Sequence, residues 1–186
     1  MSAMATTVTK LKDVLVLEPR VFGDARGYFF ESWNARAFRE ATGLDVAFVQ
    51  DNESRSRRGV LRGLHYQFEQ PQGKLVRVTR GRVFDVCVDL RRSSPTFGQW
   101  DGSELSEENR RQLWIPAGLA HGYLVLSESA DVLYKTTDFY APFHERTIVW
   151  NDADLQIAWP VETGRQPAVS GRDAAGVPFS QASLFE

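Results

Sequence analysis

Gly59-Val60-Leu61-Arg62-Gly63-Leu64-His65-Tyr66-Gln67, followed closely by Gln72-Gly73-Lys74-Leu75-Val76, decides how the rest of the chain is read. Both segments are short runs rich in apolar and β-forming residues. Pro71 and Gly73 mark a turn between them, so they read as neighbouring strands. An imidazole and an ammonium are thereby brought onto adjacent elements. A neutral His accepts a proton, and a fixed Lys stabilises the negative charge left behind. That pair suits proton abstraction beside a carbonyl. Elsewhere the chain offers Tyr134 as an acid, Asp173 as an orienter and several Arg side chains for phosphates.

Outward from this point the same pattern repeats. Strand-like runs cover 14–21, 28–33, 46–50, 60–67, 75–79, 83–90, 112–115, 123–126, 132–136 and 147–150, with glycines between or near them. Many short strands at such spacing indicate a sandwich or barrel. One helix stands out over 35–42, where Asn34 caps the start, Phe38 marks one face and Gly43 ends it. A helical turn is expected at Ser106 to Asn109. From Gly164 to Pro178 the chain is rich in Gly, Pro and polar residues, and is expected to wrap the surface with a short helix near Asp173.

The 186 residues favour a single domain over 1–186, with a core spanning about 14–160 and a C-terminal surface segment over 161–186. A net charge of -2 points neither to nucleic acid nor to a membrane surface. No apolar stretch approaches the ~18 residues of a membrane span. Cys87 is the only cysteine, so no intrachain disulfide can form, which fits a reducing, cytoplasmic compartment. Met1-Ser2-Ala3 ahead of Met4 has the pattern of an expression leader.

Taken alone, His65 reads as a satisfied core histidine. The company of Arg62, Gln67 and Lys74 reverses that preference. His121 lies in Pro116-Ala117-Gly118-Leu119-Ala120-His121-Gly122, a turn entering a strand. This resembles the second motif of cupins, in which the histidine is a metal ligand beside a His-x-His pair. Here Gln67 stands where the second His of that pair belongs, and the chain has only 3 His in all. First-row metals generally need three or more protein ligands, so a metal-free site is expected. Asp24-Ala25-Arg26-Gly27 is a turn that presents Arg26. Together with Arg62 it suits a diphosphate through bidentate bonds. Phe22, Phe29 and Glu31 are candidates to stack on and hydrogen-bond a base. Read by itself, Tyr134 is an ordinary strand tyrosine and Asp173 an ordinary helix cap.

These residues together resemble the dTDP-4-dehydrorhamnose 3,5-epimerase family, the RmlC-type sugar-nucleotide epimerases. The likeness runs from about Val14 to Asp173. It rests on an ordered set: Phe22-Gly23-Asp24-Ala25-Arg26-Gly27, Gln50-Asp51-Asn52, Leu61 to Gln67, Gln72 to Val76, Asp85 to Arg91, Pro116 to Gly122 and Leu133-Tyr134-Lys135. Singly these are weak; in order they are specific. The resemblance implies a mainly β, cupin-type double-stranded β-helix, or jelly roll, with a few short helices. It also implies a homodimer whose nucleotide site is shared across the interface, and no metal or organic cofactor. The substrate implied is dTDP-4-dehydro-6-deoxy-D-glucose, epimerised at C3 and C5. Carried over by position, His65 is the base, Tyr134 the acid, Asp173 the partner of His65, and Lys74 the cation near the keto oxygen. Phe22, Arg26, Phe29, Glu31, Gln50, Asp51, Asn52, Arg62, His121, Tyr140, Glu145 and Arg172 match substrate-contacting positions. Arg172 stands where many members carry Lys, which keeps the charge and changes the donor geometry. Three other readings are weighed beside this one: an epimerase acting at one carbon only, a nucleotide-sugar-binding jelly roll without turnover, and a metal cupin.

Overall fold

The computed structural model describes residues 4–186, so the leader reading of Met1 to Ala3 lies outside the described residues. Thirteen strands and two helices follow in order: β1 Met4–Val8, β2 Leu15–Pro19, β3 Phe22–Asp24, β4 Gly27–Phe29, α1 Ala35–Thr42, β5 Gln50–Arg57, β6 Leu61–Gln67, β7 Lys74–Arg80, β8 Arg82–Asp89, β9 Trp100–Ser106, β10 Gln112–Ile115, β11 Leu119–Val125, β12 Ser129–Thr136, β13 Glu145–Thr147 and α2 Gly171–Ala174. One sheet has six strands in the order β1-β2-β10-β7-β12-β5. A second has five, β13-β6-β11-β8-β9. The main pairings are antiparallel, and the architecture is the jelly roll expected.

Alternation along the strands builds the interior. Val76, Val78, Val83, Cys87, Leu113, Ile115, Tyr123, Val125 and Val132 form one buried cluster, with Tyr134 packed against it. Leu64, Val86, Val88, Leu90 and Ile148 form a second cluster, covered by Phe179, Leu184 and Phe185 of the C-terminal segment. That segment is fastened by bridges at Val60↔Ala168, Ile148↔Val177 and Arg91↔Phe185. The many aromatics have a plain use. Trp33, Phe38, Phe48 and Trp114 interlock, edge-on except for the tilted Trp33–Phe38 pair, with ring centroids 4.7–6.2 Å apart, and seat α1 against the sheet.

Helix α1 follows its sequence signals. Asn34 accepts the amide of Ala37, and Gly43 adopts the left-handed conformation, φ 74°, that ends it. Other expectations need correcting. The run 46–50 is not a strand; pairing begins at Gln50 and continues through Arg57. The run 28–33 keeps strand geometry only to Phe29, as half of a hairpin with β3. The helical turn expected at Ser106 to Asn109 is present as a single turn, closed by the Arg110 amide on the Ser106 carbonyl at 3.0 Å, and Ser106 and Asn109 exchange side-chain bonds with each other's amides. The short helix near Asp173 is present as α2.

Candidate active site

A cavity of about 330 Å³ lies between the two sheets. Arg62, His65, His121 and Glu145 line it from the five-stranded sheet. Gln50, Asn52, Lys74 and Tyr134 line it from the six-stranded one. The candidate base and candidate acid thus stand on opposing walls.

His65 reaches its place through a local irregularity. Residues three apart on a regular strand point to opposite faces. Between Arg62 and His65, however, β6 uses three residues where β11 uses two, with His121 facing His65 and Tyr123 facing Arg62. Arg62 and His65 consequently share the cavity. The contact depends on glycine: a Cβ on Gly63, at φ +125°, would stand 2.6 Å from the Gly122 Cα.

Behind His65 lies Asp173. Its Oδ1 is 2.6 Å from His65 Nε2, and its side chain is 4% exposed. Ser170, not Asp173, caps α2, with its hydroxyl accepting the Asp173 amide at 3.1 Å. The aspartate is left free to turn inward. Burial pushes its carboxyl up, but bonds to His65, the His65 charge and the Ser170 contact outweigh that and hold it below the ordinary carboxylate value.

Lys74 opens β7, in register with Ile115 and Thr136. Its side chain is buried, and burial pulls the ammonium below the ordinary lysine value, against the opposing pull of Glu145 and Asp85. Lys74 Nζ lies 6.0 Å from the ring centroid of Tyr134. Burial raises the Tyr134 phenol, reinforced by Tyr123 and Glu145, so it retains its proton well past neutrality.

Around this centre the polar groups hold one another. Glu145 Oε2 accepts Tyr140 Oη at 2.6 Å and Arg172 at 2.7 Å. Gln50 donates to Asn52 Oδ1 at 2.8 Å. Arg62 donates to Ser56 at 2.9 Å. Sequence reasoning missed Asp85, which is fully buried and accepts His121 Nε2 at 2.9 Å. Its signal was present: a carboxylate at a core-facing strand position demands a buried partner. Ser54 and Tyr123 were also missed as lining residues, and their hydroxyls join across the cavity at 2.8 Å.

Seven expected site residues do not line this cavity; two of them, Arg172 and Asp173, border an adjoining pocket that also holds Arg62, His65 and Glu145, and five stand elsewhere. Phe22, Arg26 and Phe29 belong to the β3–β4 hairpin, exposed and well apart, with Arg26 paired to Asp24. Glu31 accepts the side-chain amide of Asn34 at 3.1 Å. Asp51 alternates to the outer face of β5 and pairs with Lys135 at 2.9 Å. His144 lies in the loop before β13, 3.4 Å from Glu69. Among the described residues, no group of three or more His, Cys, Asp or Glu is arranged to hold a metal ion.

Comparison with known proteins gives a consistent result. A family model described as dTDP-4-dehydrorhamnose 3,5-epimerase matches residues 8–181. A dTDP-4-dehydrorhamnose 3,5-epimerase of Pseudomonas aeruginosa is 64% identical over 182 residues, covering 98% of this chain and 99% of the relative. The crystal structure of dTDP-6-deoxy-D-glucose-3,5-epimerase from Legionella pneumophila Philadelphia 1, in complex with dTDP-4-keto-L-rhamnose, superposes with a TM-score of 0.93 at 50% identity, covering 97% of this chain and 95% of that one. ChmJ, a 3'-monoepimerase from Streptomyces bikiniensis in complex with dTDP-quinovose, superposes with a TM-score of 0.86 at 34% identity, covering 92% and 86%.

Proposed function

The chain belongs to the dTDP-4-dehydrorhamnose 3,5-epimerase family, and on that premise we propose that it inverts C3 and C5 of dTDP-4-dehydro-6-deoxy-D-glucose, yielding dTDP-4-dehydro-L-rhamnose. The observation that carries the chemistry is the facing of His65 by Lys74 and Tyr134 across one cavity. C3 and C5 each flank the C4 ketone, so one mechanism serves both. His65 takes the proton, and the C–H electron pair becomes the double bond of an enolate. The charge moves to O4, where the buried Lys74 ammonium stabilises it. Tyr134 then delivers a proton from the opposite wall and the centre inverts. His65 has gained one proton and Tyr134 has lost one, and exchange with water resets both. Asp173 fixes the imidazole tautomer and steadies the imidazolium. No hydride moves in these steps. Of the relatives named above, the two more similar carry the 3,5-epimerase description, which favours two centres over one.

Proton NMR of the substrate in deuterated water tests this. Deuterium is expected at both C3 and C5, and label at one carbon only would overturn the double reaction. Tyr134→Phe sharpens the test. Epimerisation should fall by about 10²–10⁴-fold. Deuterium should still enter with retention, because His65 can return a deuteron to the face it came from. Full-rate inversion by this variant would remove Tyr134 from the acid role.

The hairpin residues find a use in a homodimer, in which Phe22, Arg26, Phe29 and Glu31 of one chain reach the nucleotide site of the other. Supporting this, Phe22 is 52% and Phe29 67% exposed on a short, polar-tipped hairpin. Sedimentation should return a dimer, and a fully active monomer would sink the arrangement. A free, buried Cys87 supports a cytoplasmic setting. No helix among the described residues is long and apolar enough to cross a membrane.

A further inference from the structure

Gln67 has no part in the chemistry above, yet it is buried and fully engaged. Its amide nitrogen donates to the carbonyls of Gln70 at 2.8 Å and Phe139 at 3.2 Å. Its amide oxygen accepts the N–H of Ala141 at 2.8 Å. Phe139 and Ala141 flank Tyr140, the residue whose hydroxyl bonds Glu145 at the cavity wall. Two more glutamines grip the same loop. Gln50 Oε1 accepts the Tyr140 N–H at 3.0 Å, and Gln72 donates to the Asp138 carbonyl at 2.9 Å. These three side chains come from the start of β5, the end of β6 and the approach to β7. The loop between β12 and β13 is therefore held from three barrel strands by neutral amides. Each bond is directed at main-chain atoms, so the grip does not depend on the loop's side chains. Neutral amides also grip without adding charge beside Glu145 and Lys74.

We propose that Gln67 is a positioning residue, which fixes Tyr140, and through it Glu145, against the bound nucleotide sugar. The proposal rests on the epimerase reading for its substrate. Gln67→Met keeps the bulk and removes all three bonds. In ligand-free protein, amide hydrogen exchange over residues 138–144 should accelerate at least ~10-fold, with β8 unchanged. With substrate, KM should rise about tenfold while kcat stays within about threefold, as expected when a contact common to ground and transition state is lost. Tyr140→Phe should add less than about twofold in the Gln67→Met background, because both changes disable one device. A purely structural role for Gln67 would lower thermal stability with additive kinetics and no local exchange effect, and that result overturns the proposal. Unaltered exchange over 138–144 overturns it equally. Failure of the wild type to turn over defeats the epimerase reading instead, and leaves the exchange result to judge Gln67.

Discussion

His65→Ala is expected to abolish deuterium uptake at both C3 and C5 of the substrate, lowering turnover by about 10²–10⁴-fold. Loss at both carbons is the informative part. Two imidazoles line the cavity, each with a carboxylate on its Nε2, Asp173 at 2.6 Å from His65 and Asp85 at 2.9 Å from His121, so loss at both carbons would assign both centres to His65. Asp173→Asn should give a smaller loss, because the imidazole remains but its tautomer and its imidazolium lose their partner. Retention of label at either carbon in His65→Ala would show that another group serves that centre.

Lys74→Met is expected to lower kcat by about 10²–10³-fold and, at neutral pH, to raise the melting temperature. The sign follows from linkage. Burial sets the folded-state value of Lys74 below the 10.5 of an ordinary lysine. Below the folded value the ammonium is charged in both states and buried in one, so there it opposes folding in full. As pH rises through the folded value toward the unfolded one, the unfolded chain binds more protons. Stability relative to the variant is then regained. Thermal melts should show the variant ahead at pH 7, by ~2–4 °C for each kcal/mol removed, and the gap closing in alkaline buffer. Wild-type activity should fall on that same alkaline side, as the ammonium proposed to meet O4 is lost. A variant less stable than wild type at neutral pH would show that the methylene packing of Lys74 outweighs its buried charge.

Much of this was legible in the chain, and the illegible parts have physical reasons. Strands of the barrel interior announced themselves by apolar residues, and α1 by Asn34 and Gly43. Strand β5, Gln50-Asp51-Asn52-Glu53-Ser54-Arg55-Ser56-Arg57, contains no apolar residue at all. Its inward positions face a polar cavity rather than a core, so hydrophobic alternation, the usual strand signal, is missing where function needs it gone. Arg62 and His65 stand at a spacing that a regular strand assigns to opposite faces. Only the bulge opposite Gly122 reconciles them. The cation and the acid could be named from their strands. The pairing of His65 with Asp173 could not, since Asp173 sits 108 residues away on a segment with little periodicity. The hairpin aromatics were named as ligand contacts, and within one chain they stand clear of the cavity.

That separation of 108 residues bears on the birth of the protein. A ribosome releases Lys74, His65 and Tyr134 well before it releases Asp173, and the barrel strands can pair in the interval. The dyad then closes only when the last segment threads along Val60, Ile148 and Arg91. Long closures of this kind come late in folding, because their entropy must be met before the contact forms. The dyad of the proposed mechanism is therefore completed after the barrel, and nascent or clipped chains that have the barrel still lack the carboxylate behind the proposed base.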